Sequence, residues 1–183
     1  ELGCVTSEIE LNKQIDFTNN LVVYSEIVHE LYVPFSTKHG IKSLLEASIE
    51  KVKSLRQDKA IEELEEQIVS DWISGIDKVD FKLDLFGKVV KKALWAIRTE
   101  DEIISDLCCR WLEGDINDKS LSKEIDVPKI DKGSNNLYSK KMTMSLFQFI
   151  KHAGFPGTVV GFDEAEQGLS VNKKKTETIC SKL

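Results

Sequence analysis

Gly157-Thr158-Val159-Val160-Gly161-Phe162-Asp163-Glu164-Ala165-Glu166 decides how this chain is read. Thr158 to Phe162 is too short for a helix, is entered sharply through Pro156-Gly157 and ends in acids. It therefore reads as a buried strand. A second strand is expected at the other end, where Cys4 to Leu11 alternates, with Val5, Ile9 and Leu11 on one side. About 145 residues of mostly helical periodicity separate the two. Strand, helical excursion, strand predicts a parallel βαβ-type crossover with a long helical insert, hence an α/β chain that is predominantly helical. The pattern is also compatible with an all-α bundle carrying two stray strands. The crossover is preferred because of the length of the Thr158–Phe162 run and the glycine that bounds it.

The helical part can be read stripe by stripe. Phe17, Leu21, Tyr24, Ile27, Val28 and Leu31 recur at three- and four-residue spacing, predicting a helix that stops before Pro34. Ile41 to Leu55, Ile61 to Trp72 and Phe81 to Ile97 carry further stripes, with a turn from Gly75 to Asp80. Thr99 and Glu102 have the spacing of a capping box, opening a helix that ends at Gly114. Asp115 to Asn136 is polar and is expected to run over the surface, with one helical turn near Leu121–Ile125. Tyr138 to Ala153 returns to helix. Trp72, Trp95 and Trp111 lie on apolar stripes and are assigned to the core.

With 183 residues, 41% hydrophobic and 31% charged, the chain has the balance of a globular domain and the length to bury a core. A net charge of −6 and a pI near 5.2 leave no basic footprint, which disfavours nucleic-acid binding by this stretch itself. There is no run of 18 apolar residues, so no membrane helix is expected. Glu1-Leu2-Gly3-Cys4 lacks the charged start and apolar core of a signal peptide. A cytoplasmic location is expected. Cys4, Cys108, Cys109 and Cys180 show no Cys-x-x-Cys spacing and read as reduced, partly buried thiols. The scattered His29, His39 and His152 form no metal-ligand pattern.

The chemistry rests on Asp163-Glu164. An apolar strand that delivers Asp-Glu has the shape of a Walker B strand. There the Asp holds the waters around Mg²⁺, and the Glu polarises the water that attacks a phosphate. The acids sit at the C-terminal end of the strand, the edge at which ligands bind in open α/β sheets. The partner motif, a Gly-rich loop ending in Gly-Lys-Ser/Thr, occurs nowhere in the sequence. Taken alone, the acids read more readily as a solvated turn, in which strands often end; the sharp Pro156-Gly157 entry, the position at the strand's C-terminal end and the continued acids to Glu166 favour the catalytic reading. Arg98 and Arg110 are expected to pair on helix surfaces with Glu100, Glu102 or Glu113 rather than to serve as arginine fingers, and Lys173-Lys174-Lys175 reads as a solvated face. Gly161, within the strand, suggests close approach of a neighbouring element.

Phe149 to Glu166 resembles the "hydrophobic helix, Ala-Gly-aromatic-x-Gly, aliphatic strand, Asp-Glu-Ala-Glu" block of ATP-binding proteins from bacteriophage-exclusion (BREX) defence systems. These are P-loop ATPases similar to AAA+ and STAND-type NTPases. Ser7 to Leu11 through Val23 to Ile27 is similar to that family's second strand and the helix after it. Cys109 to Gly114 is similar to its Arg-Trp-Leu-x-Gly helix end. The resemblance implies that the chain is a partial P-loop domain. Residues 1–16 would be strand and loop, 17–156 the helical insert, and 157–183 the Walker B strand and following helix. Asp163 would be the cofactor-binding Walker B acid on the Mg²⁺ side, holding the ion through water, Glu164 would be the catalytic base that orients the water, and Glu166 a family-typical residue without an assigned role. ATP and Mg²⁺ would be the ligands, both needing the missing P-loop, so this chain alone would be inactive. It would be an internal piece of a longer ATPase whose partners are other defence-system subunits, and DNA only through the rest of that protein. The alternative is a non-enzymatic, acidic, helical interaction module.

Overall fold

The alternation at the start of the chain is realised as β1 (Val5–Glu10), which buries Val5, Ser7 and Ile9 and exposes Thr6, Glu8 and Glu10. In this computed structural model, which describes residues 3–10, 16, 18–34, 36–54 and 62–163, β1 is the central strand of three. On one side it pairs antiparallel with β2 (Leu31–Tyr32), through Thr6 with Tyr32 and Ser7 with Leu31. On the other it pairs in parallel with β3 (Thr158–Asp163), in a register running from Val5 with Thr158 to Glu10 with Asp163. The strands expected from the sequence are thus adjacent and parallel, and the connection between them is a crossover rather than a hairpin.

Seven helices fill that connection among the described residues: α1 (Asn20–His29), α2 (Gly40–Ser54), α3 (Glu62–Gly75), α4 (Asp84–Arg98), α5 (Glu102–Glu113), α6 (Lys119–Glu124) and α7 (Asn135–His152). One contiguous core runs from Val5 and Ile9 of the sheet, through Leu31, to Phe86, Leu94, Trp111, Leu146 and Phe149 of the helices. Among the described residues only one sheet face joins it. Ser7, the polar residue on that inner face, donates its hydroxyl to the Ile27 carbonyl at 3.0 Å, so burying it leaves no unmade hydrogen bond. Among the described residues no helix is long and apolar enough to cross a membrane.

Several boundaries differ from the sequence reading, each for a local reason. The first helix starts at Asn20, where the Asn19 side chain accepts from the Leu21 amide at 3.0 Å, and it ends at His29. Leu31, the last residue of the predicted stripe, belongs instead to β2. Phe17 lies outside the described residues. The cap of α5 is Asp101, which accepts from the Ile104 amide at 3.1 Å. Thr99 does not form the expected capping box; it closes α4, and Glu100, at φ 57°, turns the chain between the two helices.

The stretch from Asp115 to Asn136 is more than a surface run. It buries Ile116, Leu121, Ile125 and Ile130, and the Ile130 amide donates to the Ile116 carbonyl at 3.1 Å. Trp111 is fully buried, whereas Trp72 and Trp95 are half-buried against the core. Among the described residues a side chain at Gly161 would meet the Ser7 carbonyl oxygen, at 3.9 Å, an ordinary contact, so they supply no close approach there. Cys108 and Cys109 are free and buried, and burial raises their thiols to about 11 and about 12, respectively. Such thiols are inert as nucleophiles.

Candidate functional site

Val160 and Phe162 of β3 pack against the core, so strand alternation turns Asp163 to the open face. The parallel register then sets Asp163 beside Glu10, the last residue of β1. Two carboxylate side chains therefore end neighbouring strands on the same face and at the same C-terminal edge. In open α/β sheets this edge is where ligands bind.

The two acids line a cleft of about 590 Å³. Thr6 and Glu8 of β1, Glu26 of α1, Glu30 after it, Tyr32 of β2 and His39 complete much of its wall. The Tyr32 and His39 rings lie 5.5 Å apart in a tilted arrangement. Among the described residues, five carboxylates against one imidazole give the cleft a negative potential suited to a hard cation with oxygen ligands. No group of three or more His, Cys, Asp or Glu among the described residues converges to cage a metal ion. Mg²⁺ does not require such a cage, because it keeps several waters and commonly takes one or two carboxylates together with substrate phosphates. The donors present therefore fit hydrated Mg²⁺. They do not fit bare nucleotide phosphates, for which His39 is the cleft's one potential cation among the described residues.

Of the residues singled out in the sequence, Asp163 lies at the sheet edge, while Glu164, Glu166 and Lys173 to Lys175 fall outside the described residues. The structure adds Glu10, which the sequence reading left as an ordinary outward residue of an alternating strand. Its signal was available: an acid ending a strand gains meaning once that strand is paired in parallel with one that ends in Asp163. Glu8, Glu26 and Glu30 were likewise missed, since only the fold brings α1 to this edge.

Both arginines are held by acids of this chain, though not by those expected. Arg98 binds Glu66 at 2.6 Å and lies over the Trp95 ring. Arg110 binds Asp115 at 3.0 Å and approaches Asp118 at 3.6 Å. A second, smaller cleft of about 390 Å³ lies between α1 and the end of α5, with Ser25, His29 and Glu113 in its wall. Burial raises the Glu113 carboxyl above the usual range.

Comparison with known proteins gives one result that bears on this site. No curated protein and no solved structure matches the chain. A family model described as "BREX system ATP-binding protein BrxC/D" matches residues 1–179, nearly the whole length and both strands that carry the paired acids. A match of that extent means that the chain belongs to the BrxC/D family of BREX system ATP-binding proteins.

Proposed function

We propose that the chain is part of a phage-defence ATPase of the P-loop class, in which Asp163 is the Walker B acid and Glu164 aligns the attacking water. The observation that carries this reading is the register that places Asp163 beside Glu10 at the C-terminal edge of a parallel pair. The family's ATP-binding description supports it. When bound, Mg²⁺ would supply charge neutralisation at the β- and γ-phosphates. Asp163, with Glu10 as its neighbour, would hold the waters around the ion. Glu164, the next residue along, would accept a hydrogen bond from the water positioned for in-line attack. The sequence has no Gly-Lys-Ser/Thr loop, and the cleft is acidic, so the phosphates would be held by a loop outside these 183 residues. The 183 residues alone are accordingly expected not to turn over ATP. Other subunits of the defence system would be the partners, with DNA engaged only through other parts of the protein.

The test uses protein that also carries the phosphate-binding loop. Glu164→Gln is expected to keep Mg-ATP binding and to lower turnover by about 100-fold or more, the scale on which removing a positioned catalytic group acts. Asp163→Asn is expected to abolish the rise in Tm that Mg-ATP produces by binding only the folded state. Undiminished turnover in Glu164→Gln removes that residue from its role. If Mg-ATP leaves Tm unchanged in the unsubstituted protein, the helical interaction module becomes the better account.

A further inference from the structure

We draw no further inference here: the strongest candidate, the exposed apolar stripe of Leu137, Met144 and Phe147 on the outer face of α7, is a surface patch for which nothing in the structure shows what covers it.

Discussion

Tyr24 and Glu113 show how much of this fold hangs on single groups at one seam. Tyr24 is fully buried, and its hydroxyl donates to the Leu112 carbonyl at 2.6 Å, meeting an acceptor in the last turn of α5 that the helix itself leaves open. Gly114 follows at φ 121°, a conformation that a side chain resists, and a Cβ added there would lie 3.6 Å from Leu21 Cδ1. Glu113 is half-buried between these contacts. Burial is the largest reason its carboxyl is raised above the usual 4.5; Asp115 and Asp106 push the same way, while His29 and Arg110 oppose. The folded chain thus holds this proton more tightly than the unfolded chain. The corresponding stability is fully present below the unfolded value and is lost as pH rises through the folded one. Glu113→Gln removes the charge and keeps the shape, so it is expected to raise Tm near pH 7 and leave it little changed near pH 4. Thermal melts at the two pH values check this; equal shifts at both would remove the burial penalty as the cause.

Among the elements, α4 holds a glycine with no room beside it for a side chain. A Cβ on Gly87 would lie 2.6 Å from Phe81 Cδ2, and Phe81 is itself buried and tilted against Phe86. Alanine in place of glycine gains about 1 kcal/mol of helix propensity, whereas overpacking a core costs about 1–3 kcal/mol. Overpacking wins here because the obstructing ring has nowhere to swing, so Gly87→Ala is expected to lower stability in urea unfolding by about 1 kcal/mol. A gain in stability would mean that Phe81 moves freely.

This helix also marks the limit of what periodicity reveals. The stripe from Phe81 to Ile97 was legible, but the helix begins only at Asp84, because the backbone amides of Lys82 and Leu83 are taken by Gln148 and Ser145 of α7. β2 was missed for a related reason: Leu31 continues the spacing of α1, and only pairing with Ser7 assigns it to the sheet. The parallel strands themselves were readable, since Val5, Ile9 and the Thr158–Phe162 run carry period and length together. The other acids of the cleft were not, because strand order is written in no local pattern. Glu10 joins the site through a partner more than 150 positions away, and Glu26 through the packing of α1.

At the scale of the molecule, a single core among the described residues unites the sheet's inner face with the helices. Urea unfolding is accordingly expected to be one cooperative transition, with tryptophan fluorescence, to which buried Trp111 contributes, and far-ultraviolet circular dichroism changing together. Two separated transitions would mean that the helical segment is an independent unit. The sheet has another property with longer reach. The chain leaves β1 at Glu10 but returns at Thr158, which is paired with Val5 at the opposite end of that strand, about 17 Å away. Inserted domains usually leave and re-enter their host at nearly one point, so they can be cut out and the gap closed with a short turn. Here the two attachment points are a full strand apart, and any shortened version still needs a dozen or more residues to cross back. Genetic insertions can lengthen this helical body, but a deletion that removes it wholesale also dismantles the strand pair that brings Asp163 beside Glu10.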